Sequence, residues 1–205
     1  MPTYTAPDDW TEPQQWISLQ RGTTTDPSGN RVGFPHTTTG AASLLAAANT
    51  TNVEGGRTAA TQQLAVYRSY VSPDDQSSAA ETRVREHGEQ TDQRLRARIG
   101  YSSTMPSGTY MRTHIVGIKI VQESPNEVTA WLLGRATLKT SSATPEDGSY
   151  TRTLAVARWA GNDWKLSAQG TARALQQQLG TAPGIVAPGD AAFNQAGWAA
   201  IRQAS

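Results

Sequence analysis

The hydrophobic period of this 205-residue chain changes once, at Gly100, from helical spacing to strand alternation, and that change restricts the folds open to it. Upstream, the pattern predicts helices over about 38–50, 56–71 and 74–98. The second repeats Ala60, Leu64, Tyr67 and Val71 on one face. Pro73 ends it, and Ser72-Pro73-Asp74-Asp75 reads as the cap of the third. That third helix is thinly apolar (Ala80, Val84, Leu95, Ile99), with Glu81 one turn before Arg85 and Arg94, Arg96 and Arg98 near its C-terminus. Downstream, strands are expected over 110–121, 127–139, 150–159 and 164–168. Their breaks are Ser124-Pro125-Asn126, Pro145-Glu146-Asp147-Gly148 and Gly161-Asn162. In the first strand His114, Val116, Ile118 and Ile120 alternate with Ile115, Gly117, Lys119 and Val121. Helices followed by a meander make an α+β layout. The expected fold is a cone: a bent antiparallel sheet of about four strands packed on three N-terminal helices. Leu44, Leu45, Leu64, Tyr67, Val116, Ile118, Leu132, Leu154, Val156 and Leu166 should point inward.

The segment Gly33-Phe34-Pro35-His36-Thr37 joins an extended entry to the first helix. Pro35 keeps Phe34 out of helical geometry, and Thr37 to Thr39 offer hydroxyls to cap the helix start. The Ala/Leu run that follows needs cover. Phe34 is expected to plug the core, while His36 bonds neighbouring backbone. The domain organisation reads as an irregular arm over 1–32, a cone-shaped domain over 33–171, and an extension with short helices over 172–205, the last near 190–203. Trp10, Trp16, Phe193 and Trp198 fall in segments too irregular to build cores of their own. They should pack mostly buried on their own domain, leaving the chain a monomer or weak oligomer; self-association through the tails is the rival.

Composition excludes several function classes. A net charge of +1 gives no field for nucleic acid. The absence of cysteine removes thiol chemistry, disulfides and cysteine-ligated metals. No apolar run is long enough to span a bilayer, and no leader pattern opens the sequence. The chain is therefore expected to be soluble as encoded, or an ectodomain cut from its anchor.

No catalytic constellation is legible. His36, His87 and His114 match no zinc spacing, and no cofactor or metal is expected. Asp8-Asp9 lie in the arm, and Asp74-Asp75 sit where acids stabilise a helix start. There is no glycine-rich phosphate loop, Gly-x-Ser-x-Gly elbow or His-Glu-x-x-His. The arginines of the third helix are cancelled by Glu81, Glu86, Glu89 and Asp92. A cone makes a pocket, which Tyr110, His114, Trp131, Tyr150, Trp159 and Trp164 either line or fill.

Two segments carry a family resemblance. One runs from Trp16 and Gly22 through Gly33-Phe34-Pro35-His36-Thr37 to Gly40-Ala41-Ala42-Ser43-Leu44-Leu45-Ala46-Ala47. The other is Arg158-Trp159-Ala160-Gly161-Asn162-Asp163-Trp164-Lys165-Leu166. Together they resemble a group of actinobacterial conjugation-associated proteins that lie in integrative and conjugative elements, usually behind one transmembrane helix. The resemblance covers roughly residues 16–170. It implies the cystatin-like cone of the nuclear-transport-factor-two superfamily, similar to the bitopic scaffold subunit of type IV secretion systems. The chain departs from the pattern in lacking the anchor and in its segment 172–205.

The resemblance implies a non-enzymatic scaffold or assembly subunit of a conjugative DNA-transfer machine, acting outside the cytoplasmic membrane. Its partners would be other subunits of that machine; no direct contact with nucleic acid is expected, and membrane only through an anchor absent from this chain. The alternative is a small-molecule-binding or enzymatic protein using the cone pocket. A free secreted or virion-associated protein is a third reading.

Overall fold

The computed structural model describes residues 9–202. Asp8, the first seven residues of the expected arm, and residue 203 of the expected last helix lie outside the described residues. Three short strands open the fold: β1 (Trp16–Ser18), β2 (Thr24–Thr25) and β3 (Arg31–Val32). Then come α1 (Thr38–Ala48), β4 (Thr51–Val53), α2 (Ala59–Tyr70), a 3-10 turn over Pro73–Asp75 and α3 (Ser78–Ile99). Four strands follow: β5 (Tyr110–Ser124), β6 (Glu127–Lys139), β7 (Asp147–Ala160) and β8 (Asp163–Leu166). The chain closes with α4 (Ala168–Gln176), α5 (Ala191–Gln195) and β9 (Ala199–Arg202).

The sheet corrects the expected cone of four strands on three helices. It is seven-stranded and mixed, in the order β1-β9-β5-β6-β7-β8, with β4 also on β5. β5 to β8 form the antiparallel meander. On the outer side of β5, β4 pairs with Met111 to Thr113 and β9 with Gly117 and Ile118. β1 then adds to β9 in parallel, Ile17 opposite Ile201, so the two ends of the described chain lie side by side. β2 and β3 form a separate two-stranded ribbon.

The sheet is covered on both faces. On one, α1 presents Ala41, Ala42, Leu44 and Leu45 to Ile118, Val128, Ala130, Leu132, Ala155 and Ala157. On the other, Phe193 and Trp198 pack on Leu133, while Ala174 of α4 packs on Leu154 and Val156. Leu154 and Val156 are therefore buried beneath the C-terminal segment, on the face opposite α1. The physical reason is that β6 and β7 carry apolar side chains on both faces, which one helical layer cannot cover.

β5 does not keep simple alternation. Its register with β6 slips between Ile115 and Gly117 and again between Ile120 and Gln122. The bulge at Val116 puts Ile115 and Ile118 together on the α1 face and turns Val116 toward the Phe193 cluster. Leu64, Val116 and Leu166 are only half-buried.

Nor do the three helices share the sheet equally. α3 packs mainly along α2, with only Gly88, Asp92 and Leu95 of its 22 residues buried, and it reaches the sheet only at its C-terminal end, where Leu95 and Ile99 cluster with Val53, Met111 and Leu138. Gly88 lets the helices meet: a Cβ there would overlap Ala60 Cα. Asp92 accepts the amides of Ala59 (2.7 Å) and Ala60 (3.1 Å), capping α2 from a neighbouring helix. Residues 72–75 do not cap α3. Pro73 opens its own short turn, Ser77 caps α3, and Asp75 instead accepts the amide of Ala168 at 2.8 Å. The expected helix near 190–203 is also shorter: Gly197, at φ +75°, ends α5, and the next residues join the sheet as β9.

Candidate functional site

The two segments that carry the resemblance meet in space. Gly33 adopts φ +76°, a conformation glycine takes without strain, and turns the chain toward the sheet. Phe34 then enters the core beside Tyr70, and its amide donates to Asp163 Oδ1 at 2.8 Å. The same oxygen accepts the amide of Trp164 at 2.9 Å. Its partner Oδ2 accepts from Lys165 Nζ at 3.1 Å, and Lys165 also donates to the Ser69 carbonyl. Trp164 Nε1 donates to the Pro35 carbonyl at 2.8 Å. Thr37 caps α1 through the Gly40 amide, and Gly40 has no room for a side chain against Pro35.

His36 completes the junction. Its ring stacks on Trp159, centroids 3.9 Å apart and planes 10° apart, and meets Trp164 edge-on at 5.7 Å. Nε2 lies 2.7 Å from the Pro125 carbonyl, which only accepts, so Nε2 carries the proton. Asn126 Oδ1 sits 3.1 Å from the same nitrogen. Every polar group of this junction named above bonds within the chain, so the motifs fix the entry of α1 against the β7–β8 hairpin.

The six aromatic and imidazole positions expected around one pocket do not converge. Trp159 and Trp164 belong to the His36 junction. Tyr110 lies under the Arg112 guanidinium at 3.9 Å and donates to Glu146; that bond raises its hydroxyl pKa. Tyr150 packs with the Phe193 cluster. Trp131 lies on that same face with Arg152 at 5.4 Å over its ring, and its buried Nε1 has no hydrogen-bond partner among the described residues. It also lines a groove of about 390 Å³ with Leu154, Leu175 and Leu179. His114 is exposed and lies on another cavity altogether.

That cavity is a cleft of about 800 Å³. The arm (Leu19 to Gly22 and Ser28 to Arg31) forms one wall, and residues of α1, α2, β4, β5, β9 and connecting loops line the rest. Ser43 ties the arm down by accepting the Gln20 amide at 2.8 Å. Ala46, Ala47, Val66 and Ile115 give the cleft an apolar floor, and Arg21, Arg31, Arg57 and His114 give it cationic or titratable edges. The sequence offered no signal for it, because its arginines lie singly in the arm and in a loop. Nearby, the Glu54 carboxylate is held below its usual pKa range by its bond to Arg112.

Among the described residues, no group of three or more His, Asp or Glu side chains could hold a metal ion. Nor is any helix there long and apolar enough to cross a membrane. No curated protein and no solved structure matches the chain. A family described as "Domain of unknown function (DUF8175)" matches residues 20–187, from the arm through α4 and about half of the C-terminal segment, and the chain belongs to that family.

Proposed function

We propose that the chain is a non-enzymatic assembly subunit of a conjugative DNA-transfer machine, working outside the cytoplasmic membrane through contacts with other subunits. The resemblance of Gly33–Thr37 and of Arg158–Leu166 to conjugation-associated proteins suggests the process. The observation that carries the non-enzymatic part is the junction of those segments. Asp163, Trp164, Lys165 and the Nε2 of His36, the groups most suggestive of chemistry, bond to backbone and to one another. Residues so engaged build a platform, and the work falls to surfaces. α3 is the broadest of these, 22 residues long with most of its length in solvent.

The test is genetic. Deleting the coding sequence from its mobile element should abolish transfer between cells, and the intact chain supplied in trans should restore it. A chain with Glu86→Lys, Glu89→Lys and Arg94→Glu, all exposed on α3, should fold normally and fail to restore transfer. Unchanged transfer from the deletion strain would overturn the proposal.

A further inference from the structure

We propose that the cleft between the arm and α1–α2 binds a small organic anion with an apolar body, such as an aryl or alkyl carboxylate or sulfonate. The cavity, about 800 Å³, lies within the size range of small-molecule sites. Its lining is chemically lopsided: Arg21, Arg31 and Arg57 supply three positive charges, and no aspartate or glutamate lines it. No described carboxylate pairs with these arginines; Arg31 donates only to the neutral Thr25 hydroxyl at 3.2 Å.

Carboxylates close by in sequence are already engaged. Glu54 is paired with Arg112 and bonded by Asn52. Asp26 accepts the amides of Ser28 (2.9 Å) and Asn30 (3.0 Å). The cleft thus holds a net positive charge at its edges, offset in part where Glu54 faces Arg57, over an apolar floor. Guanidinium groups recognise carboxylate or sulfonate oxygens through paired donors, while Ala46, Ala47, Val66 and Ile115 accept the body. Arm closure over α1 makes the site: Leu19 to Gly22 form its wall, held by the Gln20–Ser43 bond.

The test uses two fluorescent probes of similar body and different charge, 8-anilinonaphthalene-1-sulfonate and neutral N-phenyl-1-naphthylamine, titrated into the folded full chain. The sulfonate should bind saturably at one site, and tenfold more salt should weaken it while leaving the neutral probe unchanged. The double variant Arg21→Gln/Arg57→Gln should bind the sulfonate about tenfold more weakly, each exposed charge carrying a factor of roughly three. Arg83→Gln, on α3 and outside the cleft, should bind like the wild type. Ala47→Trp, which fills the floor, should lose both probes while circular dichroism shows an intact fold. Absence of saturable sulfonate binding would overturn the proposal, as would equal affinity in the wild type and the double variant.

Discussion

Asp163 Oδ1 accepts the amide of Phe34 at 2.8 Å across 129 residues of sequence, and this bond fixes the entry of α1 to the β7–β8 hairpin. A carboxylate suits the position because it satisfies two backbone donors and one ammonium at once, in a place where few waters can substitute. Asp163 is buried, and its ion pair with Lys165 is largely sheltered.

Asp163→Ala should therefore cost about 3–5 kcal/mol, the range for breaking a buried charge pair. Asp163→Asn keeps an acceptor for the two amides and should cost about 1–2 kcal/mol. Urea unfolding followed by tryptophan fluorescence measures both. Equal losses would assign the stabilisation to the Lys165 pair and not to the backbone bonds.

A second prediction concerns the α2–α3 contact. On an open helix surface, Gly→Ala stabilises by about 1 kcal/mol through helix propensity. At Gly88 the added methyl would overlap the Ala60 backbone, so the helices must separate. Overpacking costs typically about 1–3 kcal/mol, enough to outweigh the propensity gain. Separation also lengthens the bonds by which Asp92 caps α2. Gly88→Ala should lower the melting temperature; a rise would show that the helices part without loss.

Local patterns made α1 and the central strands legible. The Ala/Leu run after Thr37 and the long alternations from Tyr110 onward specify their elements strongly, as do the turns at Ser124–Glu127 and Gly161–Asn162. The layering was not legible. A single bulge at Val116 reverses which neighbours share a face, and periodicity carries no mark of it. β1, β4 and β9 have three, three and four residues, and partners distant in sequence make them strands. The signal that was present lies in Ala130–Leu133 and Leu154–Ala157, continuous apolar runs that ask for cover on both faces. The site divided similarly. Both motif segments are visible in the sequence, whereas Asp163 as their link and the arginine-edged cleft arise only from long-range packing.

Tyr70 gives the fold an alkaline limit. Burial, reinforced by the charges of Asp26 and Asp163, pushes its hydroxyl up to about 12 from 10.0. Between these values the unfolded chain has released the proton and the folded chain still holds it. The folded state then binds more protons, so stability falls as pH rises through that window. Below pH 10 the contribution is fully present; by about pH 12 roughly 2 kcal/mol should be gone. Tyr101 and Tyr110 also shift upward, so the assignment needs a variant. Tyr70→Phe should lose the late phase of phenolate absorbance and flatten the alkaline decline in unfolding free energy. A late phase that persists in Tyr70→Phe belongs to another tyrosine.

The tail aromatics separate into two kinds, and that difference yields the last prediction. Phe193 and Trp198 are fully buried, and Trp198 Nε1 donates to the Gly184 carbonyl at 2.9 Å. Gly117 makes room for Phe193: a Cβ there would sit 3.3 Å from its ring. Trp10 and Trp16 are each 39% exposed, Trp16 beneath the Arg202 guanidinium. Phe193→Ala should then cost about 3–5 kcal/mol, and Trp16→Ala about 1 kcal/mol, mostly its cation–π contact. Removing residues 190–202 should do more than remove contacts. It takes β9 out from between β1 and β5 and uncovers Leu133 and Gly117 on the second face. An uncovered apolar face beside an unpaired strand edge promotes association. Light scattering should find the full chain monomeric at micromolar concentration and the shortened chain aggregated. A full-length oligomer that dissociates on this deletion would instead make residues 190–202 an assembly element.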